Sequence, residues 1–109
     1  MEAKDKEIKE YAYEQEYASV IEKVKFNKNG LYIYLRGVGK VNVSPYYSGV
    51  LTDFLSNKDS VVKKSKDWNL KIYRDKREYV YICDKNKRVY TIYEIRGKDS
   101  ILIHKYCVD

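Results

Sequence analysis

Chemistry in this 109-residue chain would have to be built from one histidine, two cysteines, scattered carboxylates and one glycine pair ahead of a lysine. His104 lies between Ile103 and Lys105 in a β-rich run. It is the one imidazole able to activate a serine or cysteine, and such a nucleophile needs a base within hydrogen-bond reach. No G-x-S-x-G pattern frames a candidate nucleophile. Cys83 and Cys107 form no C-x-x-C pair and have no histidine cluster beside them, which argues against zinc. Asp53, Asp59, Asp67, Asp75, Asp84 and Asp99 fall mostly in turns, where aspartate bonds nearby backbone. They offer neither a hydrolytic carboxylate pair nor an EF-hand cage. Gly37-Val-Gly-Lys40 lacks the third glycine of a dinucleotide fingerprint and the spacing of a P-loop. Glycines inside a strand pattern more often mark a bulge or bend, here one letting a long hairpin serve both sides of a small barrel. The expectation is no enzyme, no metal and no cofactor.

The elements that must position any site are β-strands. Leu70–Tyr73, Tyr79–Cys83, Val89–Ile95 and Ile101–Val108 are four β-rich runs separated by polar breakers, the mark of an antiparallel meander. Upstream, a first strand spans about Ser19 to Phe26. Asn29-Gly30 signals a hairpin, Leu31–Leu35 alternates cleanly, and Val41–Val43 resumes the pattern. Ser44-Pro45 ends that strand. Val50, Leu51, Phe54 and Leu55 then follow a helical stripe, so a short helix is predicted near 47–56, capping an open end of the barrel. Val61-Val62 reads as a short strand or bend. Residues 1–17 are densely charged and read as a helix or tether. The fold class is mainly β: a small antiparallel barrel or rolled meander of five to seven strands, in a single domain whose β-rich body covers 18–109.

Composition bounds the partner only loosely. Twenty-two basic against sixteen acidic residues give a net charge of +6, and 44% of residues are hydrophobic, a folded balance. Lys, Asn, Ile and Tyr share AT-rich codons, so a low-GC genome explains much of the bias; net charge by itself speaks to solubility and non-specific binding. No apolar run reaches the roughly 18 residues of a membrane-spanning helix. The start of the given chain carries no apolar signal core, which leaves localisation open, because a mature or cloned chain would have lost its signal. Cys83 and Cys107 end strands that flank the Val89–Ile95 strand. Strands two positions apart sit about 9–10 Å from each other, beyond the roughly 7 Å reach of a disulfide. Both thiols are therefore expected free.

The segment Asp53–Lys64, followed by Leu70–Ile82, resembles a group of small uncharacterised Bacteroidetes envelope proteins, often lipoproteins. Their pattern is a short helix, a "GDS-I/L-x-K" turn, a strand, a basic turn and an aromatic strand. Asp59-Ser60-Val61 and Lys63 match the turn, Arg74 the basic turn, and Tyr79 to Ile82 the aromatic strand; Lys58 stands where the group has glycine. The resemblance implies an exported β-rich protein in the cell envelope, periplasmic or lipid-anchored. It brings no activity and no catalytic residues.

The aromatic faces carry the functional expectation. Tyr32 and Tyr34 lie opposite Leu31, Ile33 and Leu35; Tyr79 and Tyr81 lie opposite Val80 and Ile82. In one sheet, four tyrosines would line one face, with Lys71, Tyr73, Arg77 and Arg88 flanking. Cross-strand aromatic pairs that merely cover the sheet are the plain alternative. The site expectation is Tyr32, Tyr34, Tyr79, Tyr81, Arg77 and Arg88, binding a protein or glycan, since tyrosine gives amphipathic contact area at low entropy cost. The alternatives are a cytosolic nucleic-acid-binding module, suggested by the charge and by Lys63-Lys-Ser-Lys66, and a small immunity or inhibitor protein.

Overall fold

The computed structural model describes residues 13–27, 30–44 and 49–107. The helix or tether expected over 1–17 lies mostly outside them. From Tyr17 onward the described residues form, in order, β1 Tyr17–Asn27, β2 Gly30–Leu35, β3 Gly39–Ser44, α1 Gly49–Phe54, β4 Ser60–Lys63, β5 Leu70–Arg74, β6 Arg77–Asp84, β7 Val89–Arg96 and β8 Asp99–Cys107. All pairings are antiparallel, in one sheet of order β3-β2-β1-β4-β5-β6-β7-β8. The mainly β class and the meander hold. The strand count exceeds five to seven, and the sheet does not close into a barrel: among the described residues β3 and β8 are its two edges.

The extra strand comes from Gly37 and Gly39. They make a hairpin turn between two strands where a bend within one strand was expected. Both carry positive φ, 76° and 98°, a region glycine enters without steric cost. The Leu35↔Gly39 pair closes the hairpin. Val61-Val62 is a true strand, pairing Tyr17–Val20 of β1 on one side and β5 on the other.

β1 is the pivot. Its first half pairs with β4 and its second half with β2, and the register shifts between Ile21 and Lys23, leaving Glu22 as the extra residue. A bulge bends its strand and increases the local twist, so β1 turns the sheet about a corner. That curl lets one sheet bury both halves of its inner face. Leu31, Ile33, Val61, Ile72, Tyr81 and Ile92 are sealed in one cluster, which Leu51 and Leu55 join from α1 and the residues just after it.

Tyr17 belongs to the same core, 5% exposed, and its buried hydroxyl has no hydrogen-bond partner. Burial pushes this phenol well above its ordinary value of 10. An acid whose folded value is raised adds stability below its unfolded value and loses it as pH rises beyond. Tyr17→Phe is therefore expected to be as stable as wild type at pH 7, or about 1 kcal/mol more so. Above about pH 10 it should keep stability that wild type loses. Urea melts at neutral and alkaline pH read this; a loss above about 2 kcal/mol at pH 7 would mean that the hydroxyl is bonded.

Candidate binding face

The strict alternation of β2 turns Leu31, Ile33 and Leu35 inward and leaves Tyr32 and Tyr34 half-buried on the outer face. Register then sets lysines beside them. Two cross-strand rows run over β1, β2 and β3: Lys23–Tyr34–Lys40 and Lys25–Tyr32–Asn42. The Lys40 ammonium sits 4.3 Å from the centre of the Tyr32 ring, and that of Lys23 lies 5.7 Å from Tyr34. Such contacts contribute about 0.5–1 kcal/mol each at exposed sites. They hold two flexible ammonium groups in fixed places, so the face offers positioned positive charge more than open rings. Nothing in this stretch neutralises it: from Lys23 to Thr52 the sequence has five cations (Lys23, Lys25, Lys28, Arg36, Lys40) and no Asp or Glu. The Arg36–Val38 turn is tied down by Ser19, whose hydroxyl donates to the Arg36 carbonyl at 2.6 Å.

The other expected site residues do not join this face. Tyr79 and Tyr81 pair with Ile72 and Leu70, which turns them inward, 8% and 0% exposed. Val80 and Ile82 take the outer side. Tyr79 meets the Phe54 ring edge-on at 4.9 Å and serves the core. Both faces of β6 are apolar, so alternation alone could not say which face points inward. Arg77 lies 3.7 Å from the buried Glu94 carboxylate, which also accepts a bond from Arg96. Arg88 sits in the β6–β7 turn with φ 55°. Neither arginine flanks Tyr32 or Tyr34.

His104 lies on exposed β8 with its ring 6.1 Å from Phe54. No cluster of three metal-ligating side chains occurs among the described residues. Cys83 and Cys107 are free thiols, on β6 and β8 with β7 between them. Burial, the largest influence on it, pushes the Cys83 thiol up.

Three residues singled out by the turn motif form the internal polar framework. Asp59, 2% exposed, accepts two bonds from Arg74, at 2.7 and 2.6 Å, and a third from the Ser56 amide at 3.0 Å. Arg74 also donates to the Phe54 carbonyl and stacks its guanidinium 4.5 Å from the Phe54 ring. This pair pins the end of α1 to β4 and β5. Lys63, 2% exposed, gives its three ammonium protons to the carbonyls of Tyr13, Gln15 and Lys64. Desolvation lowers its pKa. Lys63 is thus withdrawn from the basic loop 63–66, which leaves Lys64 and Lys66 as that loop's exposed cations. A shallow hollow of about 470 Å³ beside the Asp59–Arg74 pair is lined by Lys58, Lys76 and Asp75 among others, a mixture of both signs.

Comparison with family models, curated proteins and solved structures gives no match for this chain. Among the described residues no helix is long and apolar enough to cross a membrane, which leaves crossing by strands untouched.

Proposed function

We propose that this chain is a non-enzymatic binding protein that holds a negatively charged macromolecule, a protein or a glycan, against the Lys–Tyr face of β1, β2 and β3. The observation that carries the reading is the pair of rows Lys23–Tyr34–Lys40 and Lys25–Tyr32–Asn42 in a stretch free of carboxylates. An acidic partner meets fixed cations there without first displacing an internal counter-charge. Positioned charges also raise encounter rates. A nucleic acid would meet the same cations, but binding of single strands draws much of its energy from bases stacked on open aromatic rings. Here lysines already lie over Tyr32 and Tyr34. An immunity or inhibitor protein is one form of the protein-binding case, with an acidic toxin as the partner.

Location in the cell envelope is part of the proposal and rests on the turn-motif resemblance. A gene with neither a signal sequence nor a lipobox upstream of Glu2 would remove it and leave the binding face standing.

Fluorescence anisotropy at low ionic strength with three probes tests the reading: heparin for acidic glycans, poly-glutamate for acidic proteins, and a single-stranded oligonucleotide. Heparin or poly-glutamate is expected to bind, with affinity at least about tenfold lower in Lys23→Gln/Lys40→Gln, since charge-assisted contacts contribute about 1.5–3 kcal/mol. Failure of all three probes would overturn the binding face. Tightest binding to the oligonucleotide would replace the proposed partner with a nucleic acid.

A further inference from the structure

The two free edges of the sheet are unlike. β3 is six residues long, and its inward Val41 and Val43 are buried. β8 is nine residues long and exposed on both faces throughout, with Ile101, Leu102, Ile103 and Tyr106 between 37% and 49% exposed. Among the described residues no strand lies beyond it, so its outer edge is a template for another strand. Soluble proteins protect such an edge with proline, charge or brevity. Residues 100–107 contain no proline, and Lys105 is their one charge.

We infer that β8 pairs antiparallel with β8 of a second copy of this chain, giving a two-fold dimer with one continuous sheet. The bulge in β8 limits the registers open to such a pair. Ile92 pairs with His104 and Tyr93 with Leu102, so Ile103 is the extra residue. Across it, Asp99, Ile101, His104 and Tyr106 share the inner face with Glu94, Ile92 and Tyr90, while Ser100, Leu102 and Lys105 take the outer face. A regular strand cannot pair with itself about a point between two residues, because those residues face opposite ways. The bulge lifts that restriction. With the two-fold axis between Leu102 and Ile103, Asp99 meets Tyr106 of the second copy, Ser100 meets Lys105, and Ile101 meets His104, each pair on matching faces. Each Asp99 carboxylate then faces Tyr106 of the opposite strand on the inner face, and each Lys105 faces Ser100 on the outer face, polar pairings that symmetry repeats.

The charge of the whole chain permits this. Each copy carries +6, but its acid-free basic face lies on β1 to β3, at the other end of the sheet order from β8. Pairing through β8 keeps the two basic faces apart and uses the same edge of each copy, so assembly closes at two. On the reading of the Lys–Tyr face above, the dimer would be bivalent and gain avidity on a repeating anionic partner. The dimer itself does not depend on that reading.

Sedimentation equilibrium of the full chain, under reducing conditions and without any anionic probe, tests the inference. A reversible shift from monomer to twice the monomer mass is expected as concentration rises. Leu102→Lys, at a site 49% exposed in the monomer, should weaken the dimer at least tenfold and, at concentrations where wild type is monomeric, leave the circular dichroism and the melting temperature unchanged. Asp99→Cys/Tyr106→Cys, freed of reductant, should cross-link to a covalent dimer. A wild type that stays monomeric up to its solubility limit, one that grows without a stop at two, or a dimer indifferent to Leu102→Lys would each overturn it.

Discussion

Asp59→Ala is expected to lower stability by about 3 kcal/mol. Removing one partner of a buried ion pair costs roughly 3–5 kcal/mol. The lower end applies because the Arg74 side chain keeps 30% of its surface in solvent. The loss has three parts. Arg74 loses a two-pronged carboxylate, the Ser56 amide loses its acceptor, and the guanidinium is no longer held over Phe54. Phe54 in turn packs on Tyr79, so the damage reaches the α1 cap. Asp59→Asn keeps the shape and an acceptor for Ser56 while giving up the charge; about half the cost is expected. Urea denaturation of both variants measures this. A loss below about 1 kcal/mol for Asp59→Ala would place the pair among the inconsequential surface salt bridges.

Lys63→Met should cost a similar amount, about 2–3 kcal/mol, for a different reason. Methionine fills nearly the same volume and removes a charge that burial already disfavours. It leaves the carbonyls of Gln15 and Lys64 without this donor, while that of Tyr13 keeps the Lys66 amide at 2.7 Å, and each stranded buried acceptor costs about 1–3 kcal/mol. The relief from desolvation offsets part of that sum. The effect should be local in space: amide protection is expected to fall first around Tyr13–Val20, where Lys63 ties the residues before β1 to the sheet and the Tyr13 ring packs on Trp68 at 5.3 Å. A stability equal to wild type, with unchanged exchange at these amides, would show that water replaces the ammonium without penalty.

The contrast between these residues and the tyrosines shows what could be read in advance. The meander was legible because four β-rich runs carry period-2 alternation between polar turns, and those signals are local. The helix was legible from Val50, Leu51, Phe54 and Leu55 for the same reason, with its ends at Gly49–Phe54 inside the expected 47–56. Tyr32 and Tyr34 face outward because their opposite neighbours are aliphatic. Tyr79 and Tyr81 do not, because Val80 and Ile82 make both sides of β6 apolar, and only the pairing with Leu70 and Ile72 decides the parity. Arg77 was drawn instead to Glu94 on a neighbouring strand.

What stayed hidden was long in range. The Arg74–Asp59 pair spans 15 positions and the Lys63–Tyr13 bond 50, so no local period announces either. Their residue types gave one hint, since the turn motif marks Asp59, Lys63 and Arg74 together. The free edge at β8 was hidden for another reason. Ile101, Leu102 and Ile103 read as core, yet the order of the sheet leaves them with no strand beyond. The lysines of the proposed face were missed because each reads as an ordinary solvated charge until register sets it over a tyrosine.

The claim that the Lys–Tyr face binds anions is tested most directly by the salt dependence of heparin binding, measured side by side for wild type and Lys23→Gln/Lys40→Gln. Each cation in contact with a polyanion releases counterions and steepens the fall of log K with log salt, by a slope of about 1 per contact. The wild-type slope is expected to exceed that of the double variant by about 2, with equal folding stability. Equal slopes would mean that Lys23 and Lys40 do not touch the anion, and that the face assigned here is not where this protein binds.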